Sequence, residues 1–110
     1  MTHLPDDHLT PGRYKEITND SAWRFGEWKS FAACLRAVSD GMDPMEWFPP
    51  DSQNYVPPQV AKVCGICPVR LECLCMAIYT NEKSGIWGGR PPRKVRSVSR
   101  KLRQILRRTV

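Results

Sequence analysis

The residues of this chain with the most chemistry in them are its five cysteines, Cys34, Cys64, Cys67, Cys73 and Cys75. Twenty-nine residues separate the first two, two separate Cys64 from Cys67, and five separate Cys67 from Cys73. Thiolate sulfur is a soft ligand that suits both tetrahedral zinc and iron–sulfur clusters. One C-x2-C knuckle, a C-x5-C continuation and one distant cysteine do not make the paired knuckles of a common zinc module. His3 and His8 sit far from them in a polar lead-in and are poor substitutes for a fourth ligand. A third chemistry, thiol–disulfide exchange at Cys64-Gly65-Ile66-Cys67, calls for a strand before the motif and a βαβ setting that the sequence does not offer. Metal or cluster binding is what the spacing favours, with zinc and iron–sulfur both open at this point.

Cys73 and Cys75 cannot serve the same centre. Two residues along a helix turn by about 200°, and Cys75 falls on the face that also carries Leu71, Leu74 and Ile78. Cys75 is therefore expected to be a small core residue.

The elements that must position these thiols read as helical throughout. Trp28, Phe31, Ala32, Leu35 and Val38 recur at helical offsets, so one helix is expected from about Ser21, capped by Asp20 or Ser21 and carrying Cys34 in its last turns. Ser39-Asp40-Gly41 ends it. Between Asp43 and Pro58 lie five prolines, which exclude a regular helix or central strand through most of that stretch. Pro57-Pro58 can open a second helix over Gln59 to Cys64, and Pro68 a third reaching about Asn81. Gly85-Ile86-Trp87-Gly88-Gly89 reads as a turn. A last helix is predicted after Pro91-Pro92, with Val95, Val98, Leu102 and Ile105 along one side. No alternating pattern competes, so the expected fold is all-α: a small bundle of about four short helices.

With 110 residues the chain makes one small domain with a thin apolar core, for which a metal staple is a natural aid. The start carries no signal-peptide pattern and no apolar run reaches the ~20 residues of a membrane span. A cytoplasmic address is expected, where thiols stay reduced and an odd number of cysteines points to metal rather than disulfides.

Charge divides the chain. Residues 1–89 hold 8 Lys and Arg against 11 Asp and Glu, whereas residues 90–110 hold 9 cations and no acid. Such a one-sided run is a phosphate-binding signal. Arg90, Arg93, Lys94, Arg96, Arg100, Lys101, Arg103, Arg107 and Arg108 are the candidate DNA contacts. Gly89-Arg90-Pro91-Pro92-Arg93-Lys94 further resembles an AT-hook-like arm, with an extended backbone that would set arginine in a narrow minor groove. A membrane-surface helix is the lesser reading, since the tail has no Trp or Phe to anchor it. The division expected is a flexible arm over 1–20, a core over 21–89 and a basic tail over 90–110.

Val63-Cys64-Gly65-Ile66-Cys67-Pro68-Val69-Arg70-Leu71-Glu72-Cys73-Leu74, followed by Gly85-Ile86-Trp87-Gly88-Gly89, resembles the WhiB-like proteins of actinobacteria and their phages. The resemblance extends back through Ala32-Ala33-Cys34 and Trp47-Phe48-Pro49, so that it covers about residues 28–89. It implies helices wrapped around a 4Fe-4S cluster ligated by Cys34, Cys64, Cys67 and Cys73 and responsive to nitric oxide and oxygen. It also implies a regulator, not an enzyme, that docks on region four of the primary sigma factor of RNA polymerase at promoter DNA. Trp87, with Gly88 and Gly89 in its turn, would be the main sigma contact, joined by Trp28, Trp47 and Phe48. No membrane and no small-molecule substrate enter this picture. The chain departs from the family at Cys75, usually not cysteine there, and at Trp47, often phenylalanine.

Overall fold

A computed structural model describes residues 9–50 and 54–108, with the side chain of Arg108 left out. His3 and His8 lie outside the described residues. The described residues form six α-helices and no strand: α1 (Pro11–Thr18), α2 (Ser21–Phe25), α3 (Ala33–Ser39), α4 (Pro58–Gly65), α5 (Arg70–Tyr79) and α6 (Pro92–Arg108). Two 3-10 turns, Glu27–Phe31 and Pro44–Trp47, join them. The protein is all-α as expected, and no described helix is long and apolar enough to cross a membrane.

Three expectations change. The single helix predicted from Ser21 is divided. Asp20 caps α2 by accepting the Ala22 amide at 3.0 Å, but Gly26, at φ +79°, stops the helix after one turn. Ala32 is extended and restarts the chain as α3, so Cys34 sits in a first turn rather than a last one. The break lets Trp23 turn into the core, where its indole donates to the Glu72 carbonyl at 3.2 Å, while α3 faces the other way.

The described part of the expected flexible arm is also ordered. Thr10 caps α1 through its hydroxyl on the Arg13 amide at 3.1 Å, and Pro11 fills the first helical position. Leu9, Ile17 and Thr18 are buried, so α1 contributes to the main core.

The cationic tail is likewise built into the fold. From Pro92 onward the chain is α6, which places Arg93 and Lys94 on a helix and not on an extended AT-hook-like arm; proline at a helix start loses no hydrogen bond. Val95 and Leu102, two turns apart, are buried against α5 and α1. Arg103 donates to the Ile78 carbonyl at 2.6 Å, satisfying an acceptor at the C-terminal end of α5. Arg96 donates to the Lys83 carbonyl at 2.7 Å.

Two cores result. Leu74, Cys75, Ala77 and Ile78 of α5 face the larger one with Leu9, Ile17, Trp23, Val95 and Leu102. Trp47, Val60, Cys64 and Ile86 form the smaller one, with Cys34 and Val38 at its edge.

Candidate functional site

Cys34 comes from the first turn of α3, Cys64 from the last turn of α4, Cys67 from the turn that follows, and Cys73 from the first turns of α5. Helix endings make this convergence possible. The Cys67 amide donates to the Cys64 carbonyl at 3.2 Å, folding the knuckle back, and the Cys73 amide donates to the Val69 carbonyl at 2.9 Å as α5 begins. All four thiols line one cavity of about 330 Å³, whose other walls are Arg70 and mostly apolar side chains that include Val38, Val63, Ile86 and Trp87. The four thiols share the lining of this one cavity.

Burial dominates their electrostatics. It pushes the Cys34 thiol up, helped by Cys67, while the amides of Cys34 itself and Leu35 at the start of α3 pull the other way. Cys64 is raised by burial and partly relieved by hydrogen bonds from the Trp47 indole and the Gly89 amide. Cys73 is pushed up to about 12, chiefly by burial, against a hydrogen bond from the Gly88 amide and with the other three thiols adding repulsion. The Ala33 amide donates to the Cys67 sulfur at 3.5 Å. Four sulfurs gathered on one cavity, Cys64 buried and the other three half-buried, each provided with N–H donors, form a donor set suited to a group that brings positive charge with it.

Cys75 stands apart, fully buried in the larger core. Its thiol is pushed up to about 12 by burial and then by Glu72, with Arg13 opposing.

The glycine turn supplies two of those donors. Gly85, Gly88 and Gly89 all have positive φ. A Cβ at Gly88 would lie 2.8 Å from the Arg70 carbonyl oxygen and 3.2 Å from Leu74 Cβ, so only glycine brings this backbone against α5. The Ile86 amide donates to the Trp47 carbonyl at 2.6 Å, and Trp87 pairs with Arg90 through reciprocal backbone bonds of 3.1 and 3.0 Å.

The aromatic residues expected to meet sigma factor fall in different places. Phe48 is 48% exposed and Trp87 is half-buried, and both border the cavity. Trp47 is only 8% exposed, its side chain turned inward. Trp28 packs against the other core, away from the cavity, with its indole on the Trp23 carbonyl at 3.0 Å. The sequence reading missed Leu35 and Ile66, 58% and 80% exposed, the one on the cavity wall and the other inside the C-x2-C knuckle. An apolar residue between two ligand-type cysteines was the available signal.

Among the tail cations, Arg93, Lys94, Arg100, Lys101 and Arg107 are exposed on α6. Arg96 and Arg103 are tied to backbone carbonyls, and Arg90 is half-buried beside the glycine turn. Arg108's side chain is outside the described residues. Lys83, which lies before the tail and was not foreseen, joins Arg96, Arg100, Arg103 and Arg107 around a groove of about 490 Å³.

Residues 28–98 match the family described as "Transcription factor WhiB". The chain belongs to the WhiB family, a class of transcription regulators. It is 35% identical over 77 residues to "Transcriptional regulator WhiB1" of Mycobacterium tuberculosis, a match covering 67% of this chain and 92% of that protein. It is 34% identical over 73 residues to "Transcriptional regulator WhiB" of Streptomyces coelicolor, covering 66% and 76%. "Transcriptional regulator WhiD" of the same organism is 32% identical over 68 residues, covering 57% and 56%. These are the names of regulators, in keeping with a protein that is not an enzyme.

The glycine turn yields a direct expectation. Gly88→Ala forces a side chain into a left-handed position and against a backbone oxygen, and should lower unfolding free energy by about 2 kcal/mol or more. Denaturant melts of the two proteins measure it, and equal midpoints would mean that the turn does not lie against α5.

Proposed function

We propose that this regulator carries a 4Fe-4S cluster on Cys34, Cys64, Cys67 and Cys73, docks on region four of the primary sigma factor, and contacts promoter DNA through α6. The observation that carries the reading is the convergence of four thiols from separate elements on one largely apolar cavity. A cubane cluster fills such a space and uses four thiolates. When bound, it would supply the electron-transfer and nitric-oxide-reactive chemistry expected of the family.

The protein's own residues do the rest. The Gly88, Gly89 and Ala33 amides orient and stabilise sulfur, and Val38, Val63 and Ile86 exclude water. Phe48, Trp87 and Leu35 border the cavity, and Ile66 stands exposed in the adjoining knuckle, an aromatic and apolar set of the composition that anchors protein interfaces. The exposed cations of α6 form the phosphate-facing side, while its apolar side belongs to the core. The core therefore handles the cluster and sigma factor, and the C-terminal segment handles DNA, in the host cytoplasm.

Anaerobically purified protein should be brown, with about four irons and four sulfides per chain. Serine at Cys34, Cys64, Cys67 or Cys73 should abolish the colour, and Cys75→Ser should keep it. A colourless protein with about one zinc would overturn the cluster.

For the sigma surface, Phe48→Ala and Trp87→Ala should each weaken binding to the sigma C-terminal region by about tenfold or more while the cluster absorption stays. Unchanged affinity in both would place that interface elsewhere.

For DNA, Arg100→Ala and Lys101→Ala should each reduce the slope of log affinity against log salt by about one. A slope that does not move would remove α6 from the phosphate contacts.

A further inference from the structure

α5 ends on a residue that turns the chain aside. Asn81 stands at φ +58°, the left-handed conformation that closes many helices, and both bonds of that closure are present: the Asn81 amide donates to the Ile78 carbonyl at 3.1 Å and the Glu82 amide to the Ala77 carbonyl at 2.8 Å. Lys83, the next residue, is thereby carried across to α6. Arg96 donates to the Lys83 carbonyl at 2.7 Å, and Arg103 donates to the Ile78 carbonyl at 2.6 Å and to the Ser99 hydroxyl at 3.2 Å. These bonds pin the loop to the helix. The Lys83 side chain stays exposed, its ammonium 3.2 Å from the Asn81 side-chain oxygen.

Between the loop and α6 lies the groove of about 490 Å³. Arg96, Arg100, Arg103 and Arg107 follow one another at helical spacing, so they form a single stripe about 16 Å long, and Lys83 adds a cation from the opposite wall. Among the described residues that line the groove, the one acid is Glu82, whose carboxylate takes the Thr80 hydroxyl at 3.0 Å. No aromatic ring lines it, so a base has nothing there to stack on. Its walls offer charge, the Asn81 and Gln104 amides and the Ser99 hydroxyl, all partners for phosphate oxygen that carry no sequence information.

We infer that this groove seats the phosphodiester backbone of a DNA strand, with Lys83 as a phosphate contact that stands outside the basic segment 90–110. A stripe of arginines along a straight helix matches a polyanion that runs past it, whereas a free nucleotide would call for an apolar or aromatic wall against its base. Arg96 and Arg103 are held by backbone carbonyls, so their charge is in position before DNA arrives and less side-chain freedom is lost on binding. The sequence conceals this contact because Lys83 lies in a short polar loop of the acidic part of the chain, and only the turn at Asn81 brings it to the arginine stripe. The inference rests on the reading of α6 as the element that meets DNA.

The test measures binding of the full-length protein, purified anaerobically, to two fluorescein-labelled duplexes of unrelated sequence over a series of salt concentrations. Lys83→Ala should lower the slope of log affinity against log salt by about one on both duplexes, as for one lost phosphate contact, and Lys83→Arg should keep the wild-type slope. The Lys83 carbonyl that receives Arg96 is untouched by either substitution, and circular dichroism should show the wild-type helix content. Lys62→Ala removes an exposed lysine of α4 that does not line the groove; it makes the same change in net charge and should leave the slope unchanged. Equal falls in Lys83→Ala and Lys62→Ala would make the effect one of net charge and overturn the inference. An unchanged slope in Lys83→Ala beside a reduced one in Arg100→Ala overturns it as well, while α6 keeps its role. Unchanged slopes in both overturn the reading of α6 itself.

Discussion

The site side of this fold answers to the gathering of four thiols, one buried and three half-buried, on one cavity. Sulfur that is buried and crowded by other sulfur resists ionisation, as the rise of Cys73 to about 12 shows. Such a site is stable as a ligand set only if N–H groups point into it and water is kept out. The glycine turn, the start of α3 and the Pro44–Trp47 turn are arranged to meet both needs. None of these segments is a long regular element. They are helix ends and turns, where backbone amides are not consumed by helical hydrogen bonding and can face sulfur.

α5 divides the molecule into a side that holds the fold and a side that holds the site. Its apolar face meets α1, α2 and α6, and Cys75 belongs there as a small hydrophobe. Its other face presents Cys73 to the cavity. Little more than half a turn of helix, about 200°, separates the two cysteines' roles, with only Leu74 between them. α6 is bound to the same helix by Val95, Leu102 and the Arg103 bond to Ile78, so its cations project from a docked helix rather than from a loose tail.

Much of this was legible in the sequence. The C-x2-C knuckle with Pro68 after it, the helical phase that sets Cys75 apart from Cys73, and proline-initiated α4 all follow from local rules. What was not legible depends on distant contacts. The break at Gly26 exists because Trp23 must reach α5, and a helical pattern that runs across the break conceals it. α1 has little apolar periodicity, and Thr10-Pro11 was its one local signal. In residues 90–110 the last helix and its apolar side follow from local periodicity, but the docking of that side on α5 and α1 does not, and the likeness of Gly89–Lys94 to an extended arm gives way where Pro92 opens α6. Trp47 and Phe48 look alike in sequence, yet adjacent residues in an irregular turn face opposite environments.

The spacing of the cysteines has a consequence for how the site assembles. Cys64, Cys67 and Cys73 lie within ten residues and are brought together by a single helix–turn–helix step, whereas Cys34 arrives across a long loop. Closing a loop of some 30 residues costs roughly 3 kcal/mol in chain entropy. In this fold, contacts of protein with protein offset that cost: α3 lies along α4, Val38 packs on the smaller core, and the Ala33 amide reaches the Cys67 sulfur. The most remote sulfur is thereby held at the rim of the cavity by the polypeptide itself, so the four thiols meet on a chain already closed.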